Sequence, residues 1–218
     1  MLAWRAFISP SSSNSQFSFL GENGLTNITN AGNAKLEGIE MDMQWAVTDA
    51  FTLYGGVALQ KAELGEDFCK VIDPATGKPY KTEADCVANG GPESFAPEGT
   101  RLPTTPEFKA SLTARYEFTM AGLESHIQGS VVHNGDSRTA LLPAENDVLG
   151  DSDAYTLVDL AFGIGRDKTT AELFIDNVLD EDARLYRYSE CDVAICGGIV
   201  YSVVTCPRMM GVRINHRF

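Results

Sequence analysis

The segment Arg208-Met209-Met210-Gly211-Val212-Arg213-Ile214-Asn215-His216-Arg217-Phe218 alternates along its length. Met210, Val212, Ile214, His216 and Phe218 fall on one side, and Met209, Gly211, Arg213, Asn215 and Arg217 on the other. A β-strand sends successive side chains to opposite faces, so a largely apolar face and a basic, polar face meet different media. A strand that closes an outer-membrane barrel has this form, with apolar residues toward lipid and polar ones toward the lumen. An amphipathic edge strand of a soluble sheet alternates too, so the choice rests on the other segments.

Working back along the chain, the cleanest pattern is Phe108, Ala110, Leu112, Ala114, Tyr116 and Phe118 against Lys109, Ser111, Thr113, Arg115 and Glu117. Strands in globular proteins are usually about five or six residues long, whereas a tilted membrane-spanning strand needs about 9–11. The same period recurs in Ile39, Met41, Met43 and Trp45 against Glu40, Asp42 and Gln44. It returns in Phe51, Leu53, Val57 and Leu59, and in Leu123, Ile127 and Val131 against Glu124, His126, Gln128 and Ser130. Val158, Leu160, Phe162 and Ile164 continue it, as do Ala171, Leu173 and Ile175. Residues 4–8 and 16–20 are further candidate strands, and the polar tract 11–15 reads as a loop.

Short turns near 47–50, 119–122 and 166–168 join strands on one side, and long segments at 61–102, 133–152 and 178–207 join them on the other. Short periplasmic turns with long external loops are a property of outer-membrane barrels. Phe218 then falls at the periplasmic edge, where an aromatic ring is favoured. The expected fold class is therefore all-β: a segment of an antiparallel up-and-down transmembrane β-barrel of about eight strands.

The net charge of −13 and pI of about 4.6, with no Lys/Arg cluster, exclude nucleic acid as a partner. Mean hydropathy is −0.12 and no long apolar run occurs, so no transmembrane helix is expected. Barrel strands hide their hydrophobicity by alternation and are not excluded. The first ten residues lack the basic start, apolar stretch and cleavage site of a secretory signal. An outer-membrane protein needs one, so the expectation is a piece of something longer.

Five cysteines are an odd number. Cys69 and Cys86 bracket a Gly/Pro-rich stretch, while Cys191, Cys196 and Cys206 cluster near the end. The pattern fits loop bridges in an oxidising compartment: one between Cys69 and Cys86, another between two of the later three. A metal site is the sharper alternative, but no CxxC spacing or nearby histidine supports it. Free thiols are the plain one.

Four segments carry a resemblance. Asn30-Ala31-Gly32-Asn33-Ala34-Lys35-Leu36-Glu37-Gly38-Ile39-Glu40 resembles the N-G-x-A-x-x-x-G-x-E stretch of TonB-dependent receptors. Gly99-Thr100-Arg101-Leu102-Pro103-Thr104-Thr105-Pro106 is similar to their G-x-x-L-P-x-x-P lead into a barrel strand. Leu173-Phe174-Ile175-Asp176-Asn177-Val178-Leu179-Asp180 resembles their V-x-N-L-F-D strand end, and residues 207–218 resemble their closing strand. Each is weak alone, but four in the family's order are specific together.

The resemblance implies the C-terminal part of a receptor barrel in the bacterial outer membrane. It covers 1–218, with 1–33 less clearly patterned than 34–218. The parent would take up a nutrient such as a siderophore, cofactor or carbohydrate. Transporters of this kind have 22 strands and a plugged lumen, so the plug and most strands are expected to lie outside this chain. Transport by this segment alone is not expected, nor is any enzyme activity or resident cofactor. Val212, Ile214, His216 and Phe218 would form the closing strand and assembly signal. The implied partners are outer-membrane lipid, the barrel assembly machinery and a small-molecule substrate. A TonB-type energy transducer would act only through the absent N-terminal region.

Sharper chemistry has little support. His126, Ser130, His133, Asp136 and Ser137 supply hydrolase residue types, but no nucleophile elbow occurs. The plain reading makes His126 and Ser130 lumen-facing and His133 an interface residue. Asp147, Asp151 and Asp153 lack EF-hand spacing and read as a solvated acidic loop. Asp73-Pro74-Ala75-Thr76-Gly77-Lys78 and Asp176-Asn177 read as turns. Two other functions fit the alternation: a small self-contained outer-membrane barrel with a structural or adhesion role, and a soluble lipocalin-like binding barrel. The latter would turn its apolar face inward. An isolated barrel segment with open edges is expected to aggregate or to curl into a smaller barrel.

Overall fold

A computed structural model describes residues 2–8, 11–20, 26–189 and 199–217. The main sheet comprises β1 (Leu2–Ile8), β2 (Ser11–Leu20), β3 (Thr26–Ala46), β4 (Phe51–Leu64), β9 (Phe108–Met120), β10 (Leu123–Asn134), β11 (Tyr155–Arg166), β12 (Thr169–Asp176) and β15 (Met209–His216). The loops carry the two-residue strands β5 (Phe68–Cys69), β6 (Ile72–Asp73), β7 (Lys78–Pro79) and β8 (Phe95–Ala96). They also hold α1 (Glu83–Gly90), α2 (Pro143–Leu149) and the hairpin of β13 (Arg184–Tyr188) with β14 (Tyr201–Val204).

The nine long strands make one antiparallel sheet in the order β1–β3–β4–β9–β10–β11–β12–β15, with β2 also on β3. β1 pairs with the second half of β3 and β2 with its first half, so the two lie end to end along one edge. The tract 11–15, expected to be a loop, is part of β2 and pairs with residues 32–36. Twenty-one residues of β3 offer ladder partners along their whole length, and that pairing overrides the local turn preference of a serine run. Among the described residues β15 and the β1/β2 edge do not pair with each other, so the sheet stays open.

Register confirms the alternation. Leu53, Ala114, Gly129 and Leu160 are direct cross-strand neighbours, as are Phe162, Leu173 and Val212. Directly opposed residues share a face, so the apolar sets of β3, β4, β9, β10, β11, β12 and β15 all lie on the same side. That side is open: Leu173 is 57 % exposed and Ile214 70 %. Across the wall, the polar side chains of His126 and Glu172 are only 17 % and 22 % exposed. Glu117 and Arg213 on that face are 59 % and 58 % exposed, so what sets this sheet apart from a water-soluble one is its uncovered apolar side.

Short turns have local causes. Thr48 Oγ1 accepts from the Ala50 and Phe51 amides. Ala121 and Gly122 both take positive φ, the two-residue turn that suits strand twist.

The packed hydrophobic core sits in the loops. Leu64, Phe68, Ala96, Leu141 and Leu142 are buried together, with Leu102 against them. A second cluster joins Cys69, Cys86 and Phe95 to Val71, Tyr80 and Val87. The segments expected to be plain loops are thus partly folded. Thr82 caps α1 by accepting the Asp85 amide, and Pro143 opens α2 where its missing N–H costs nothing.

Candidate functional site

The polar wall is organised in rows that cross the strands. One row reads Glu117, His126, Gly163, Glu172 and Arg213, each directly opposite the next. Gly163 is the key position. A Cβ placed there would lie 2.1 Å from the His126 ring, closer than any real contact. Because it has none, the ring crosses β11, and His126 Nε2 meets Glu172 Oε2 at 3.2 Å. From the other side Arg213 Nη1 donates to Glu172 Oε1 at 2.7 Å. One carboxylate therefore ties β10, β12 and β15 together.

The adjacent row extends the network. Arg115 donates to Glu117 and to Gln128, and the Arg213 guanidinium lies 5.1 Å from the centre of the Phe174 ring. Ser130 and Thr113 share a hydrogen bond of 3.1 Å. Arg115, Glu117, Glu124, His126 and Glu172 border a groove of about 700 Å³. A second hollow of about 200 Å³ lies among Gln128, Asp159, Asp176 and Arg213. Such a wall offers charged and hydrogen-bonding groups on one side and a largely apolar surface on the other. The charge-assisted bonds of Glu172 hold its polar groups in place.

A family model described as TonB dependent receptor-like, beta-barrel matches residues 5–178. This chain belongs to that family. Its strands are therefore part of a barrel of the bacterial outer membrane. Solved structures carry the same fold. The siderophore receptor PiuA from Acinetobacter baumannii superposes with a TM-score of 0.67 at 16% identity, over 99% of this chain and 26% of that one. The ferric yersiniabactin uptake receptor FyuA from Yersinia pestis gives 0.64 at 16% identity, over 88% and 25%. The ferric-catecholate import receptor Fiu from E. coli K12, in its closed form, gives 0.62 at 17% identity, over 100% and 25%. The chain thus spans about a quarter of the length of these receptors. No curated protein sequence matches it.

Within this TonB-dependent receptor barrel, Cys69 and Cys86 are joined by a disulfide. Cys206 is an exposed free thiol, and Cys191, Cys196 and Phe218 lie outside the described residues. Val212 and Ile214 stand on the apolar face of β15, and His216 shares a hydrogen bond with Thr169 at the end of that strand. The residues with hydrolase character each have another partner. Ser130 meets Thr113, His133 meets Thr156 beside the Phe108 ring, and Asp136 pairs with Arg101.

The acidic loop is also engaged. Asp151 accepts from Asn146, and Asp153 forms a two-pronged ion pair with Arg184. That hydrogen-bonded guanidinium holds the Asp153 carboxyl below the usual carboxylate range. The turn at 73–78 is closed by Asp73, whose side chain accepts from the Ala75 amide and the Thr76 hydroxyl. Asn177 takes a left-handed φ of 52°, as a strand-ending turn residue can. Its side chain also binds the backbone of Glu181 and Cys206 across the third loop.

The Gly163 row was not visible in the sequence. Glu172, His126 and Arg213 each read as lumen-facing polar residues, but which of them meet depends on register between strands. An isolated glycine in a strand pattern was the available signal, since it marks a bulge or a close approach.

Proposed function

We propose that residues 1–218 are the C-terminal part of a TonB-dependent receptor barrel that takes up a nutrient chelate, of which a ferric siderophore is the leading class. The observation that carries this reading is the inverted distribution of the sheet, apolar outward and charged inward, in a chain of this family. The similarity of residues 207–218 to the family's closing strand supports the placement within the barrel. Charged side chains such as Arg115, Glu172 and Arg213 would line a hydrated path. The structured loops above β4, β9, β10 and β11 would form part of its outer mouth.

The partners follow from that role. Lipid covers the apolar side, and the assembly machinery reads the alternating strand of Val212, Ile214, His216 and Phe218. An energy transducer of TonB type acts through a part of the receptor that these 218 residues do not contain. A small self-contained barrel would need β15 to pair with β1 or β2, and among the described residues it does not. A lipocalin-like barrel would need its apolar face inside, opposite to what is observed.

The test is uptake. Cells lacking their own siderophore receptors, supplied with the full-length gene, should accumulate a labelled ferric siderophore only when TonB is functional. Accumulation that is equal without TonB, or no uptake across a panel of iron, cofactor and sugar cargoes, would overturn the reading.

A further inference from the structure

Two loops that are separate in sequence share one core. Segment 65–107 joins β4 to β9, and segment 135–154 joins β10 to β11. Leu141 and Leu142, each 2 % exposed, come from the second and are buried among Phe68 and Ala96 of the first and Leu64 at the end of β4. Leu102 closes the same cluster.

Polar contacts follow the same division. Thr104 donates its amide to the Arg138 carbonyl, and Arg101 reaches both the side chain and the carbonyl of Asp136. Each loop is also tied internally. The Cys69–Cys86 disulfide pins α1 to β5, and Asn146 accepts the Thr139 and Ala140 amides.

The third loop is attached differently. Arg184 of β13 meets Asp153 through ionic bonds and a backbone hydrogen bond, Arg187 lies against Gly150, and among the described residues none of the β13–β14 hairpin enters either buried cluster. Apolar burial is cooperative, because removing one member strips the packing from the rest. An exposed ion pair is weak and local.

We propose that segments 65–107 and 135–154 form one rigid outer cap, latched by Leu141 and Leu142, which opens as a single body while the β13–β14 hairpin moves independently. Movement at one loop is then transmitted to the other, so β4/β9 and β10/β11 feel the same event at the mouth. A ligand that displaces either loop must displace both.

Peptide-resolved hydrogen exchange on the full chain in detergent tests this. Leu141→Ala should speed exchange at least tenfold in both 135–154 and 65–107, leaving β9, β10 and the β13–β14 hairpin unchanged. Leu141→Val, a milder change, should give the same two-loop pattern at smaller size. From the opposite side, Cys69→Ser with Cys86→Ser should speed exchange in 135–154, which contains neither cysteine. If each substitution loosens only its own loop, the two loops are independent and the proposal fails. Loosening of the hairpin together with both loops also overturns it, because the third loop would then belong to the same body.

Discussion

Gly163 exerts its influence through what it lacks. A hydrogen in place of a side chain lets the His126 ring cross β11 and reach Glu172. Gly163→Ala should push that ring off the carboxylate and cost about 1–3 kcal/mol, the usual range for overpacking a filled site. Urea unfolding in lipid vesicles measures it, and a change below a few tenths would mean that the ring relocates freely. The outer face tests the wall from the other side. Leu112→Arg should cost about 2–4 kcal/mol near the bilayer centre, and Thr113→Arg far less, since only the first puts a charge in hydrocarbon. At this scale the sequence was informative about direction and silent about partners. Alternation shows which way Glu172 points, but its two neighbours, His126 and Arg213, lie 46 and 41 residues away.

Elements differed in how openly the sequence announced them. Long strands were plain, because β9 keeps an unbroken period of two over thirteen residues. Helices α1 and α2 were missed, being eight and seven residues long and too short to set up a periodic face. Their only signals were local: Thr82 three residues before Asp85, Pro143 at a first turn, and Gly91 and Gly150 just past the ends. β13 and β14 lay hidden in the third long segment, since five- and four-residue strands leave little pattern. The Cys69–Cys86 bridge encloses a loop for which chain entropy gives about 3 kcal/mol. Reduction should therefore make 70–85 an early site of proteolysis; unchanged cleavage kinetics would show that packing alone holds it. The hairpin joint should respond to acid. The Asp153 carboxyl is held below its usual range, first by the Arg184 hydrogen bond. A carboxyl with a lowered folded-state pKa stabilises above its unfolded value of about 4 and loses that contribution as pH falls through the lower one. Protection of 184–188, taken relative to the intrinsic exchange rate at each pH, should thus be equal at pH 5 and 8 and fall below about pH 4. Loosening between pH 5 and 8 would place the joint elsewhere.

For the whole molecule, the governing fact is that the apolar side of the sheet is left uncovered while the opposite side carries a hydrogen-bonded charged row. The twelve residues of β11 extend about 41 Å at ~3.4 Å per residue. A tilt of ~45° reduces this to a height of about 29 Å, enough for the ~25 Å apolar band of an outer-membrane barrel. What compact hydrophobic core exists lies beyond that band, in the loops. The open edges at β15 and β1/β2 follow from strand count, which alternation could approximate but not close. Unpaired edges invite pairing with other chains, so the segment expressed alone should self-associate in detergent, as light scattering can show; a stable monomer would require the edges to meet. The most direct measurement of the central claim places spin labels one at a time from 109 to 117 on β9, with the segment held in its full-length receptor in lipid vesicles. Labels at 110, 112, 114 and 116 should collide with lipid-dissolved oxygen, and those at 109, 111, 113, 115 and 117 with a water-soluble nickel reagent. Oxygen contact that fails to alternate, or that favours the odd positions, would contradict a sheet whose apolar face meets hydrocarbon.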